Sequence, residues 1–299
     1  MIHTFDFTKL SVMESQGLLQ SLVCPRPIAF ASTVDALGNV NLSPFSFFNM
    51  FSTNPPIVVF SPSRRGRDAT TKHTYENVLE VPEVVINIVN YAIVEQTSLA
   101  SVEYEKGVNE FIKAGLTPVP SERVKPPRVA ESPASLECRV NEIIPLGTGG
   151  GAGTLVVCEV LLVHVKEEVL DASGKRADPR ALDLVARMGG DYYAHIANES
   201  LFIVPKPNQK KGIGVDQIPF RIRNSRILSG NNLGRLGNTE VMPDKDAVSA
   251  FANDPRIAEI FERFSHHTES LEDHLHQLAK ELLEAGQVDD AWKTLLQLP

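Results

Sequence analysis

Apolar and polar positions alternate in short runs through the first two thirds of the chain, then give way to a helical period. Residues 28–34 form a β-branched, apolar run, Asp35, Gly38 and Asn39 carry turn chemistry, and 40–48 and 56–61 supply two more runs. This pattern predicts an antiparallel meander. Helical character over 69–79 is followed by strand periodicity at 84–89. Residues 92–113 read as mostly helical, with Val94, Leu99, Val102, Val108 and Phe111 as inward positions. Pro118, Pro120, Pro126, Pro127 and Pro133 mark an extended loop. Two longer strands, at 135–144 and 154–165, flank a glycine-rich stretch at 147–153 and predict a hairpin.

The pattern changes near Pro205. Residues 205–212, PKPNQKKG, read as a linker, so the expected division is 1–205 and 206–299. Beyond a polar, glycine-punctuated segment at 222–234 the period is helical. Asp254-Pro255 is a helix start and Ser270 with Asp273 has capping-box spacing. Leu271, Leu275, Leu278 and Leu282 form one stripe, with Trp292, Leu295 and Leu296 in a last short helix. Such a stripe needs a partner surface.

Composition narrows the function classes. A net charge of -8, from 29 basic and 37 acidic residues, gives no electrostatic case for nucleic acid or for an anionic membrane. Cys24, Cys138 and Cys158 lack C-x-x-C spacing, which argues against a disulfide framework or a zinc site and for buried free thiols. The start of the chain has no basic segment followed by an apolar core, and the apolar run at 155–165 contains Glu159 and is too short to span a bilayer. No membrane association and a cytoplasmic location are the expectations. The glycine stretch formally contains G-x-G-x-x-A, but a strand follows it where a dinucleotide fingerprint needs a helix. It reads as a flexible hairpin tip. His266, His267, His274 and His276 have no i, i+4 pair, and His274 and His276 point about 200° apart on an ideal helix, so a solvated face is expected and no metal site.

Two segments carry candidate chemistry. Ser43, Ser46, Asn49, Ser52 and Thr53 stand among Phe45, Phe47, Phe48, Met50 and Phe51. That mixture suits a flat ring with a polar edge; it also suits phenylalanines filling a core and serines ending strands. Ser61, Arg64, Arg65, Arg67, Lys72, His73 and Thr74 supply the charge-assisted donors that a phosphate needs, or form a solvated basic turn.

The block PRPIAFASTVDALGNVNLSPFSFFNMFSTNPP at 25–56, with KHTYEN at 72–77 and MGGDYY at 188–193, resembles the flavin reductase family. These are FMN-binding split β-barrels that include flavoredoxin-like proteins and reductase components of two-component monooxygenases. The resemblance covers roughly residues 10–205, and where the family often has Lys-Asp-Thr this chain has Lys72-His73-Thr74. It implies a mainly β fold with α, an antiparallel, Greek-key-like split barrel plus a C-terminal helical extension. It implies FMN as cofactor, its ring against Ser46, Phe47, Phe48, Asn49, Phe51 and Ser52, and its phosphate on Ser61, Arg64, Lys72, His73 and Thr74. Gly190 and Tyr193 would face the substrate. The implied activity is NAD(P)H:flavin reduction, with electrons passed to free flavin or another acceptor, no catalytic side chain because the cofactor carries the chemistry, and a homodimer. An FMN-holding electron carrier without NAD(P)H turnover is the alternative. An oxidase acting on a small amine, as pyridoxamine-phosphate oxidases do, is a third reading, against which the 25–56 block argues.

Overall fold

In the computed structural model the residues described are 1–205 and 211–298, so most of the expected linker lies outside them. An 11-residue helix, α1 (Val12–Leu22), opens the chain. The Ser11 hydroxyl accepts from the Glu14 N–H at 3.2 Å while the Glu14 carboxylate accepts from the Ser11 N–H at 2.8 Å, a reciprocal cap. Four strands follow, β1 (Ala29–Val34), β2 (Val40–Phe45), β3 (Phe48–Thr53) and β4 (Pro56–Phe60). After them come α2 (His73–Glu80), β5 (Glu83–Ile88), α3 (Val94–Leu99), α4 (Glu110–Ala114) and a short pair, β6 (Pro118–Val119) with β7 (Arg128–Val129). The long hairpin of β8 (Ala134–Pro145) and β9 (Thr154–Val165) and a small one of β10 (Val185–Arg187) and β11 (Tyr193–His195) complete this unit, which spans Met1–Phe202.

The expected single run at 40–48 divides into two strands, and the division closes the barrel. The seven-stranded antiparallel sheet has the order β2-β1-β5-β8-β9-β4-β3, so β2 and β3 lie at its opposite edges although only Ser46 and Phe47 separate them. Two residues cannot span an open sheet of this width, because strands lie about 4.8 Å apart. The sheet therefore curls until its edges meet at Ser46-Phe47, which is a split β-barrel. Phe45 pairs with Ala29 on one side of the join and Phe48 with Phe60 on the other. The Phe45 and Phe60 rings pack inside it with centroids 5.4 Å apart, a tilted contact of the favourable kind. A bulge between Met50 and Ser52 leaves Phe51 out of the ladder.

Helix α2 docks on this barrel through two side-chain bonds. Asn41 Nδ2 donates to Thr74 Oγ1 at 2.8 Å and Asn77 Nδ2 donates to Thr33 Oγ1 at 3.1 Å. Thr74 and Asn77, three apart, share the inward face. A second apolar cluster, with Phe30, Leu42, Ile93 and Phe111, fills the space under α3 and α4. The expected helix at 92–113 breaks between these two short helices, and Leu99 and Val102 are exposed rather than inward. Gly107 at φ +88° turns the intervening loop, whose Glu103 is drawn to three cations described below.

The second unit, Ile203–Pro299, is helical: α5 (Phe220–Arg223), α6 (Gly230–Gly237), α7 (Lys245–Phe251), α8 (Pro255–Phe264), α9 (Thr268–Glu284) and α10 (Val288–Leu295). Asp254 caps α8 ahead of Pro255, as its sequence implies. Leu271, Leu275 and Leu282 are buried and Leu278 partly so. Their partner surface is supplied within the unit, where Leu282, Leu236 and Trp292 share one core. Two expectations fail here. Helix α9 starts before Ser270, so Ser270 and Asp273 form no cap, and His276 is buried, its Nδ1 2.8 Å from the Ser225 hydroxyl, rather than on a solvated face.

Cys138 and Cys158 are buried free thiols in the barrel core; burial pushes the Cys138 thiol up to about 12. Cys24 is only half-buried. Among the described residues, no helix is long and apolar enough to cross a membrane.

Candidate functional site

A cleft of about 780 Å³ lies in the barrel unit between α1 and the 61–72 loop. One wall is apolar, with Phe7, Leu10, Leu19 and Val23 from the N-terminal segment and Phe47 from the barrel join. The other is polar, with Ser63, Arg64, Arg65, Gly66 and Lys72. Among the lining residues four are cationic, Arg26, Arg64, Arg65 and Lys72, and only Glu103 is acidic. The charged wall attracts an anion.

The basic loop is built by close backbone approach. Arg64 N–H donates to Ala152 O at 2.8 Å and Gly151 N–H donates to Arg64 O at 3.1 Å, which joins the loop to the tip of the β8–β9 hairpin. A Cβ on Gly150 would stand 2.6 Å from Gly66 O, and Gly151 has φ +81°. Only glycine permits both. The glycine stretch is thus a hairpin tip that also closes the cleft floor.

The N-terminal wall is held by one side chain. Arg26, only 7% exposed, donates from Nη1 to the carbonyls of Gln20 and Val23, both at 2.6 Å, and from Nη2 to Met188 O at 2.7 Å. Its Nε reaches Ser46 Oγ at 3.4 Å. It thereby satisfies carbonyls at the open C-terminal end of α1, which otherwise lack partners, and fixes α1 against the β10–β11 turn and the barrel join.

The cations of the polar wall converge on Glu103. Its carboxylate lies 3.1 Å from Arg65 Nε, 2.8 Å from Arg67 Nη2 and 3.2 Å from Lys72 Nζ. The hydrogen bond from Lys72 holds the Glu103 carboxyl below the usual carboxylate range; desolvation opposes it, and the charges of Lys72, Arg67 and Arg65 add to the lowering. The contact to Arg65 Nε is out of line for a hydrogen bond, and this buried N–H has no acceptor among the described residues. That N–H is enclosed and faces Glu103, so the donors lining the cleft that a phosphate oxygen could meet are those of Ser63, Arg64 and Lys72 with the rest of the Arg65 guanidinium, a set of that chemistry. The residues present therefore fit the phosphate of a flavin nucleotide, and the apolar wall fits its ring.

Of the sequence-expected residues, the structure brings Phe47, Arg64 and Lys72 into the cleft. Ser46 lies behind Phe47 against Arg26. Ser61 is buried, its hydroxyl accepting from Thr154 N–H at 3.0 Å, and Thr74 is buried against Asn41. His73 opens α2 beside Lys72, where burial lowers its pKa, Glu76 acting the other way. Phe48 packs on the barrel core, and Ser52 is half-buried. Asn49 and Phe51 are exposed on β3, outside the cleft. Gly190, at φ +58°, and Tyr193, under the Arg187 guanidinium at 4.7 Å, sit at the β10–β11 turn that Arg26 ties to α1. Sequence reasoning missed Arg26, Ser63, Glu103 and the whole of α1. The S-x-x-E spacing of Ser11 and Glu14 was the signal available for α1.

Comparison with known proteins places this barrel unit. The family model described as "Flavin reductase like domain" matches residues 21–182, more than half of the chain, and the chain belongs to that family. An uncharacterised protein of Aquifex aeolicus is 37% identical over 182 residues, 61% of this chain and 90% of its own length. Among solved structures, nitrilotriacetate monooxygenase component B from Bacillus cereus matches with TM-score 0.63 and 27% identity, over 68% of this chain and 99% of the other. The 2-nitrobenzoate 2-nitroreductase of Pseudomonas fluorescens matches with TM-score 0.59 and 26% identity, over 68% and 96%. The family match falls within Met1–Phe202; the helical unit lies beyond it.

Proposed function

We propose that this member of the flavin reductase family binds FMN in the α1 cleft and catalyses hydride transfer to it from NAD(P)H, the electrons passing on to free flavin or a downstream acceptor. One observation carries the reading: a single cleft joins an apolar wall at Phe47, Leu10 and Leu19 to a cationic wall at Arg64, Arg65 and Lys72. The similarity to a monooxygenase component and a nitroreductase supports reductive chemistry. Bound flavin supplies the redox step itself, so the chain needs no acid, base or nucleophile. Its residues bind and orient. Ser63, Arg64, Arg65 and Lys72 would hold the phosphate, and His73 at the start of α2 adds a first-turn N–H. Phe47 and the α1 face would exclude water from the ring, with Ser46 and Arg26 as polar groups beside it. Ser61 and Thr74 act through the loop and helix they anchor.

The exposed β3 residues Met50 and Phe51, 64% and 69% accessible, with Asn49 between Phe48 and Met50, form a surface that a second copy would cover in a homodimer. Gly190 and Tyr193 would border the approach of the nicotinamide.

The test is a paired titration with FMN and riboflavin, followed by flavin fluorescence. Lys72→Ala should weaken FMN about tenfold, as expected for losing one charge-assisted contact, and leave riboflavin nearly unchanged. Equal losses for both ligands would remove Lys72 from the phosphate site.

A further inference from the structure

The three cations that crowd Glu103 include two of the donors assigned above to the flavin phosphate. Arg65 and Lys72 both line the cleft, and so does Glu103 itself. The Glu103 carboxylate lies within ion-pair distance of Arg65, Arg67 and Lys72 at once, at 3.1, 2.8 and 3.2 Å. Glu103 is the residue by which the 100–109 loop lines the cleft, and among the described residues its carboxylate makes that loop's ion pairs to the basic segment. Arg64 differs from these neighbours: its Nη1 donates to Ala69 O at 2.9 Å and it makes no ion pair with Glu103.

We propose that Glu103 is an internal rival of the ligand phosphate: it occupies the anion-binding faces of Arg65, Arg67 and Lys72, and so holds phosphate-bearing flavins at an affinity low enough for exchange. The inference rests on the cleft being the flavin site. A phosphate dianion entering this wall must either take these donors from Glu103 or sit beside its negative charge. Both weaken binding of the phosphate-bearing ligand and neither touches a flavin that lacks phosphate. Glu103 is about one third exposed, so its side chain can swing towards water when displaced. FMN is then a ligand that is loaded and released, in keeping with electrons leaving on free flavin.

The experiment compares the full chain with Glu103→Gln and Glu103→Asp, using FMN and riboflavin by fluorescence and inorganic phosphate by phosphorus NMR line broadening. Glu103→Gln should tighten FMN about tenfold, since a rim charge acting on a dianion is worth roughly twice an ordinary exposed pair. It should tighten inorganic phosphate as well and leave riboflavin within about twofold, the gain shrinking in high salt. Glu103→Asp, which keeps the charge, should stay near wild type. If phosphate binding tightens while no form of the protein binds flavin, the anion rivalry stands and the flavin reading of the cleft falls. If neither FMN nor phosphate gains affinity in Glu103→Gln, or if both lose it, Glu103 organises the cations rather than competing for them, and the proposal is overturned whatever flavin does.

Discussion

The guanidinium of Arg26 donates to the carbonyl of Met188 at 2.7 Å, across 162 positions of sequence, while the same group closes the end of α1. One buried cation thus sets the distance between the N-terminal wall of the cleft and the β10–β11 turn. Burial lowers its pKa, yet a guanidinium stays charged, so the carbonyls around it carry its solvation. Arg26→Ala should cost about 2–4 kcal/mol, because it leaves buried carbonyls without donors. Flavin affinity should fall with it. Chemical denaturation alongside FMN titration checks both, and Arg26→Lys should recover only part, since an ammonium cannot span the same acceptors.

The contact of the glycine hairpin tip with the basic loop is equally specific. Gly150→Ala would place a Cβ 2.6 Å from Gly66 O, whereas at neighbouring Gly149 a Cβ would meet nothing within 4 Å. Gly150→Ala should therefore push the two loops apart and weaken FMN about tenfold, with a stability loss of about 1–3 kcal/mol. Gly149→Ala should behave as wild type. The pair separates the close approach from a general effect on hairpin flexibility.

Glu137 gives a pH prediction. Its side chain is fully buried and accepts from Glu122 N–H at 2.9 Å and Arg123 N–H, with His164 Nε2 at 2.7 Å. Burial pushes its pKa up, but these donors more than offset that, and it lies below the usual value of 4.5. A depressed carboxylate contributes stability that is present above the unfolded pKa and lost as pH falls through the folded one. Glu137→Gln should cost about 3 kcal/mol near neutrality. The gap to wild type should then narrow as pH falls below the usual carboxylate value of 4.5 and through the lower value of the folded state. Urea midpoints across that range would show it; a gap that widens on acidification would contradict the assignment.

The strands were legible because their runs are short, β-branched and punctuated, and the long hairpin was found to within a residue of each end. The break at Ser46-Phe47 was not, since local hydrophobicity continues through it and the reason for the turn is that Phe48 pairs with Phe60 on β4, near the opposite end of the sheet order from β2. Phe47, Arg64 and Lys72 were legible as chemistry. Thr74 and Ser61 have the right functional groups, but their hydroxyls are engaged by Asn41 and by the Thr154 N–H. Glu103 and Arg26 were hidden for the opposite reason. Each is an ordinary charged residue in sequence, and only tertiary folding brings it against its partners. The buried His276 escaped because helical spacing says nothing of Ser225 on another element.

The central claim is tested most directly by anaerobic mixing of FMN-supplemented protein with NADH and then NADPH, following loss of the oxidised flavin absorbance against a protein-free control. The proposed activity predicts protein-dependent bleaching with at least one nicotinamide. FMN that is demonstrably bound yet not bleached by either would contradict it and identify the protein as a flavin-holding electron carrier.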